Sequence, residues 1–379
     1  MAERGASSKA TVRKAISPYL KVILLARPGL DEFFITATPR DGGDFHRMFD
    51  NVYRAVREAG ATIVTKDVFG IPAAEKAGLE ALHDVWGEVT WPVTWLAEGS
   101  SAGMALTGVQ VHAVKGVEVE RLRLQGRVVG SVFDDGLARH CCLGDLRASD
   151  IRAPREVQAC QTFEFMEAAL QAAGMDFSNV VRTWLYLDDI LSWYGELNAV
   201  RNRFFRERGV FTGVVPASTG VGGANAARAV LTADAYAIAS HNRAVRITSV
   251  PSPLQGPALE YGSSFSRAVE MEMPDHRYLW VSGTASINQR GETAHVGDVG
   301  AQIDWTMRVV EAILESRRMG WGDVSRAVAY VKQGKMGTVF QKYCAEKGLQ
   351  DMPVVTTEND ICRDDLLFEV EVDAVSASG

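Results

Sequence analysis

The sequence predicts an α+β protein made of three tandem, related units that close into a pseudo-trimeric barrel within one chain. Three observations carry this expectation. A helix-then-strand segment recurs three times, the same further elements flank each copy in the same order, and each copy ends on a similar alternating strand. Such a unit has one sheet with helices on one face, so the other sheet face needs a cover. Three units can cover one another around an approximate threefold axis, as a covalent version of a cyclic trimer.

The recurring segments are 49–69 (FDNVYRAVREAGATIVTKDVF), 163–187 (FEFMEAALQAAGMDFSNVVRTWLYL) and 305–331 (WTMRVVEAILESRRMGWGDVSRAVAYV). In each, apolar residues recur at helical spacing, a Gly closes the helix, and a β-rich run follows. A β-like run precedes each helix at 31–39, 138–146 and 278–287, with hairpin strands expected before it. A second helix follows at 73–86, 193–208 and 338–349. Each copy then reaches a proline (Pro92, Pro216, Pro353) and closes with a strand at 105–114, 230–238 and 367–375. The expected organisation is an N-terminal tail at 1–18 and units at 19–114, 115–240 and 244–376, of which the first is degenerate and the third carries a candidate catalytic glutamate.

Composition excludes several classes. At about 150 residues per domain, 379 residues fall between two and three domains, and the repeat decides for three units sharing one core. With 40 basic and 47 acidic residues the formal charge is −7, which argues against nucleic-acid and anionic-membrane partners. No apolar run approaches the roughly 20 residues of a membrane span, and the polar N-terminus does not read as a secretory signal. The five cysteines show no C-x-x-C spacing, so the expectation is a reduced, cytoplasmic protein without disulfides or bound metal. Residues 99–103 satisfy G-x-S-x-G but lead into an alternating strand, so they read as a loop and not a nucleophile elbow.

Three units leave three inter-unit clefts, and clefts of this kind are favoured ligand sites. Aligned from their ends, the closing strands place Glu369 opposite Thr232 and Gly108, and Glu371 opposite Asp234 and Gln110. Only the third copy has a carboxylate at the first position, so Glu369 is the candidate acid or base. Cys362 lies in a polar turn seven residues earlier, with no histidine near it in sequence to make a thiolate. Arg182 interrupts an apolar strand, where an unpaired charge is costly. Arg201 and Arg208, seven apart, are expected to share a helix face able to grip carboxylates, within a local run that also holds Arg203 and Arg206. Arg267 enters early in the third copy. The bend 216–223 (PASTGVGG) and the strand end 282–286 (SGTAS) offer backbone N–H groups.

These residues resemble the Rid (YjgF/YER057c/UK114) superfamily, with its chorismate-mutase-like fold and sites between subunits. The third copy carries the clearest match, in VSGTASI, HVGDVGAQIDWTMRVVEAIL and DICRDDLLFEVEVDA. More narrowly, residues 120–376 look like the chorismatases, through VVRTWLYLDDI, PASTGVGG, SPLQGPALEYGSSFSRAVE and ICRDDLLFEVE. The resemblance implies a cofactor-free enzyme of secondary metabolism that removes pyruvate from chorismate. It implies Glu369 as catalytic group and Cys362 and Ala285 as positions linked to product choice. It also implies substrate contacts from Arg182, Tyr186, Arg201, Arg208, Ser218, Gly220, Arg267 and Thr284. Two departures stand out: the family's R-x-W-N-Y reads with Leu185 in place of Asn, and Arg201 replaces an expected Tyr. The Arg that follows the third-copy Pro in simple Rid deaminases is absent from Pro353-Val354-Val355. The partner expected is a small anionic or reactive carbonyl substrate, taken by a monomer or weak homo-oligomer. The alternative reading is a Rid-type biosynthetic enzyme acting on an imine, enamine or other reactive carbonyl intermediate.

Overall fold

The computed structural model describes residues 9–40, 44–97 and 104–378, so the G-x-S-x-G stretch lies outside the described residues. Unit one comprises β1 (Thr11–Ile16), β2 (Leu20–Arg27), β3 (Leu30–Ala37), α1 (Phe45–Ala59), β4 (Thr62–Gly70), α2 (Glu75–Trp86), β5 (Val93–Ala97) and β6 (Leu106–Lys115). Unit two comprises β7 (Glu120–Leu124), β8 (Arg127–Asp134), β9 (Ala138–Arg147), α3 (Arg155–Ala172), β10 (Val180–Leu187), α4 (Ile190–Glu207), β11 (Ala217–Gly222) and β12 (Leu231–Ser240). Unit three comprises β13 (Arg246–Val250), β14 (Ala268–Glu272), β15 (His276–Ala285), α5 (Val299–Ser316), β16 (Val324–Val331), α6 (Met336–Lys347), β17 (Val354–Glu358) and β18 (Phe368–Ala377). The segment read as a tail is corrected in part: β1 lies inside it and pairs with β2 along its whole length.

The three six-stranded sheets have one topology. Their orders are β1-β2-β3-β6-β4-β5, β7-β8-β9-β12-β10-β11 and β13-β14-β15-β18-β16-β17. In each, the strand after the first helix pairs antiparallel with the closing strand and parallel with the short post-proline strand. Local chemistry sets the boundaries. Asp44 caps α1 by accepting from Arg47 N at 3.1 Å, and Gly60 ends it in the left-handed region at φ 65°. Asp298 caps α5 in the same way, through Ala301 N. The turns after α3 and α5 are fixed by Asp176, which accepts from Ser178 N, and Asp323, which accepts from Gly320 N.

Two kinds of core follow from the layers. On the outer face, each sheet buries an apolar layer against its own helices, as with Phe163, Trp193, Leu197 and Phe204 of unit two. Units one and three have matching layers around Phe49 and Leu82, and around Ile313 and Phe340. The inner faces of all three sheets meet one another in a shared core that includes Leu25, Phe133, Tyr236, Tyr278 and Trp280. Among the described residues both faces of each sheet are largely covered, edge positions such as Arg13–Ile16 apart, so the units cover each other as the repeat predicts.

Candidate active site

The registers put the closing strands into correspondence. Phe69, Tyr186 and Tyr330 occupy equivalent places and pair with Gly108, Thr232 and Glu369. Two residues along, Asp67, Trp184 and Val328 pair with Gln110, Asp234 and Glu371. The carboxylate of Glu369 is therefore unique among the three equivalent positions, as the sequence alignment has it.

Glu369 faces the seam between units two and three. There β11 runs against β15, and Ala217 of β11 is also bridged to Ser266, just before β14. The pairing of β15 with β18 slips between Val281 and Thr284, and this bulge carries Ser282 and Gly283. Ser282 Oγ accepts from Ser218 N at 2.9 Å, and Thr219 Oγ1 accepts from Gly283 N at 3.0 Å, so the two units are bolted together at the bulge. Gly283 allows the carboxyl its place: a Cβ there would collide with Glu369 Oε1.

The cleft beside Glu369 is lined by Tyr194 and Arg201 of α4, Ser218 and Gly220 of β11, and Gly283 and Ala285 of β15. Ser263, Phe265, Arg267, Ile287, Cys362 and Arg363 complete the lining. Ala285, Ile287 and Cys362 belong to one small apolar cluster with Ile361 and Leu366. The site thus has an apolar wall, a set of arginines and one carboxyl.

Its electrostatics separate two carboxyl groups on the same strand face. Burial pushes Glu369 up to about 8, with the charge of Glu371 adding to the effect and Arg182 and Arg267 opposing it. Glu371 is also fully buried, but Arg326 and Arg182 outweigh that burial and hold it below the ordinary carboxylate range. It accepts from Arg182 Nη2 at 2.8 Å, Arg326 Nη1 at 2.6 Å and Trp184 Nε1 at 3.0 Å. At neutral pH one carboxyl holds a proton and its neighbour holds a charge, the pattern that marks an acid beside its electrostatic partner.

Arg201 is 2% exposed. Its Nη2 donates to Asn198 Oδ1 at 2.7 Å, its Nη1 reaches Ser218 Oγ at 3.5 Å, and its Nε has no partner. Burial lowers its pKa, and Tyr194 opposes the shift. A buried guanidinium with an open donor is a receptor for an anion. Arg267 is held in place by donating from Nε and Nη2 to Gly256 O at 3.0 and 2.9 Å. Arg363 Nη1 donates to Gly291 O at 2.7 Å.

The structure brings Glu369, Cys362, Arg201, Ser218, Gly220, Arg267 and Ala285 into one cleft. Four expected contacts do not line it. Arg182 is fully buried on the axial side, where its Nη2 serves Glu371 and Thr219 Oγ1; the strand's alternation turns it inward. Tyr186 packs with Phe69, Tyr330 and Val355 in a closed apolar knot. Arg208 is the C-cap of α4, where the helix face it was expected to share with Arg201 ends, and it pairs with Glu167 and Glu207. Thr284 turns its hydroxyl back onto Ser282 O. Cys362 lines the wall, but burial, reinforced by Glu369, pushes its thiol up to about 12, so it is no thiolate nucleophile.

Sequence reasoning missed Tyr194, Ser263, Phe265 and Ile287. Tyr194 was within reach: it lies seven residues before Arg201 on α4 and takes the helix-face place expected of Arg208. The departure at Leu185 does not touch the cleft, since that residue is buried in the core of unit two.

The other two clefts lack the acid. Between units one and two, Thr94 Oγ1 donates to Asp234 Oδ1 at 2.7 Å and accepts from Asp145 N at 2.9 Å. Between units three and one, Val355 fills the space over Gly108, where an added Cβ would lie 2.6 Å from Val355 Cγ2. The described residues contain no group of three or more His, Cys, Asp or Glu able to hold a metal, and no helix long and apolar enough to cross a membrane.

Known proteins align with this picture. Residues 147–233 match the Endoribonuclease L-PSP family. A chorismatase from Streptomyces rapamycinicus is 27% identical over 222 residues, which is 52% of this chain and 64% of that protein. A 3-hydroxybenzoate synthase from Streptomyces hygroscopicus is 25% identical over 224 residues, covering 52% and 63%. The chain therefore spans less than two thirds of these relatives' length. A crystal structure of a chorismatase shares the fold over 95% of this chain and 100% of its own, with a TM-score of 0.64 at 17% identity. The three-unit fold and these matches together support the resemblance to the Rid superfamily and its chorismatase-like branch.

Proposed function

We propose that the cleft between units two and three cleaves the enolpyruvyl ether of chorismate to pyruvate, with Glu369 as general acid. The observation that carries this reading is a carboxyl whose pKa is about 8 in a cleft that also holds the buried, under-satisfied Arg201. A neutral carboxylic acid at pH 7 can protonate the enol-ether methylene carbon, which no carboxylate could do. Protonation leaves an oxocarbenium carbon bearing the ether oxygen. Water adds there, the hemiketal loses its proton and collapses, and pyruvate leaves with a dihydroxycyclohexadienoate. If the dihydroxycyclohexadienoate then loses a ring hydroxyl as water, the coproduct is a hydroxybenzoate, and the water added at the hemiketal is returned, so none is consumed overall. The developing cation faces the Glu369 carboxylate that the proton transfer leaves behind.

Chorismate carries two carboxylates. Arg201 and Arg267, both in the cleft lining, are the groups to hold them, and the apolar wall of Ala285, Ile287 and Cys362 suits the ring. The imine reading rested on the two departures from the family pattern. Leu185 is not on the cleft wall, and Tyr194 supplies a phenol beside Arg201, so those departures weigh less against chorismate. The test is pyruvate release from chorismate by the full chain, followed by coupled reduction with lactate dehydrogenase. Release that disappears in Glu369→Gln supports the proposal; no release from the wild-type protein overturns it.

A further inference from the structure

A second cavity, of about 80 Å³, lies on the pseudo-threefold axis and is separate from the cleft just described. One end meets the apolar knot of Phe69, Tyr186 and Tyr330. The other meets a buried polar layer in which Tyr278 Oη donates to Glu32 Oε1 at 2.6 Å, Arg27 pairs with Glu32 and Asp135, and His140 pairs with Asp135. Between these ends, each unit contributes inward residues at equivalent positions: His112, Tyr236 and Asp373, then Phe34, Cys142 and Trp280.

Three features of the lining are independent of one another. First, much of the wall is aromatic. Tyr278 stacks on Trp280 at 5.6 Å between centroids, Tyr236 meets Trp280 edge-on at 5.5 Å, and Phe34 stacks on His112 at 5.0 Å. Second, carboxyl groups are in excess. Asp67, Asp234 and Asp373 line the cavity with Glu371 just behind, and the guanidiniums among them are Arg326 and Arg182. Third, among the lining residues the unpaired polar atoms are acceptors, while the unpaired donors Arg182 Nε and Nη1 belong to a guanidinium that does not line the cavity. Gln110, 3% exposed, donates through Nε2 to Ala327 O at 2.8 Å and leaves its Oε1 without a donor; Asp373 Oδ1 has none either.

We infer that this axial cavity binds a small organic cation, an ammonium on an apolar body of about three or four carbons. Aromatic faces attract a cation, the orphaned acceptors need donors, and the surplus carboxylates need positive charge. An anion is excluded by the carboxylates, and a bare metal ion is a poor match for a wall this apolar. Burial raises Asp67 and Asp234 above the usual range and takes Asp373 to about 6. A bound ammonium would bring all three back toward ionisation. This inference is independent of the chemistry proposed at Glu369.

The test uses the full chain at pH 7 with isopropylammonium chloride and with isopropanol, its uncharged counterpart of the same shape. Ligand-detected NMR titration should show saturable binding of the ammonium, and isopropanol binding weaker by about tenfold or more. The double variant Asp67→Asn/Asp373→Asn should weaken the ammonium by at least a similar factor. A crystal soaked with the ammonium should show it between Asp373, Gln110 and Trp280, which decides the matter if the double variant does not fold. Equal binding of the alcohol, no saturable binding to the wild-type protein, or density only outside the axial cavity would each overturn the inference.

Discussion

The cleft between units two and three and the cleft between units one and two use the same scaffold to opposite ends. In both, a bulge interrupts the pairing with the closing strand, at Ser282–Gly283 and at Gly144–Asp145. In both, a threonine hydroxyl accepts from a bulge N–H, Thr219 from Gly283 and Thr94 from Asp145. The difference is in what is left unmatched. In the one–two cleft, Asp145 is paired with Arg127 and Arg147, and Asp234, although burial raises its pKa too, accepts from both Thr94 Oγ1 and the Asp145 N–H. In the two–three cleft, burial keeps Glu369 protonated, and Arg201 retains an open donor. A duplicated fold can thus be armed at one seam by charges that a purely structural seam neutralises.

The widest gap between the clefts is Glu369 itself. Glu369→Gln keeps the shape and removes the proton donor, and should lower kcat for pyruvate release by about 10²–10⁴-fold with the fold intact by circular dichroism. Wild-type activity should hold through neutral pH and fall as Glu369 ionises above about 8. The same group makes a stability prediction. Its folded pKa is raised from 4.5 to about 8, so its contribution is full below about 4.5 and is lost progressively as pH rises to about 8. Glutamine has no such dependence. The melting temperature of Glu369→Gln relative to wild type should therefore climb across that window, and a constant difference would refute the assigned shift.

Arg182 breaks the comparison in the other direction, because it is common to fold and site in the sequence but belongs to the axis in the structure. Arg182→Met strands Glu371 beside Arg326 alone and should cost about 3–5 kcal/mol in denaturant unfolding. In molecules that remain folded, the KM for chorismate should change little. A large rise in KM with unchanged stability would return Arg182 to the substrate pocket. Arg201→Gln should do the reverse: stability near wild type and kcat/KM down about 10–100-fold, chiefly through KM.

The fold was legible in the sequence because duplication leaves a triple record. Helix spacing, closing glycines and post-proline strands recur at matching places, and the registers bear out the alignment of Glu369 with Thr232 and Gly108. The site was legible only in part, for a physical reason. Linear spacing says which residues share a strand face but not which layer that face meets. Arg182 and Tyr186 alternate correctly along β10, yet that face looks to the axis and not to the seam. Arg208 failed because helix periodicity stops at the cap. Tyr194 was marked by helix spacing, seven residues before Arg201, but Phe265 and Ser263 come from a segment that meets the cleft only after the units have closed, and no local pattern marks them.

The finest test substitutes one methyl group at each bulge. At Gly283 the added Cβ would collide chiefly with the far end of the Glu369 side chain, a flexible terminus that can turn aside, and would sit 3.1 Å from Thr219 Cγ2, which needs to give only by a few tenths of an ångström. Gly283→Ala should therefore fold normally and lose about 10²-fold in kcat, because a carboxyl displaced by about 1 Å no longer reaches the methylene carbon. At Gly144 the new Cβ would sit 3.0 Å from Thr94 Oγ1 and 3.2 Å from Pro92 Cβ, atoms held by a strand and by a proline ring. Gly144→Ala should leave kcat unchanged and cost on the order of 1 kcal/mol in unfolding free energy. The same methyl group then reads as a kinetic lesion at the armed seam and as a packing lesion at its structural sister. If both variants lost activity, the one–two cleft would have a catalytic share that its neutralised charges do not support.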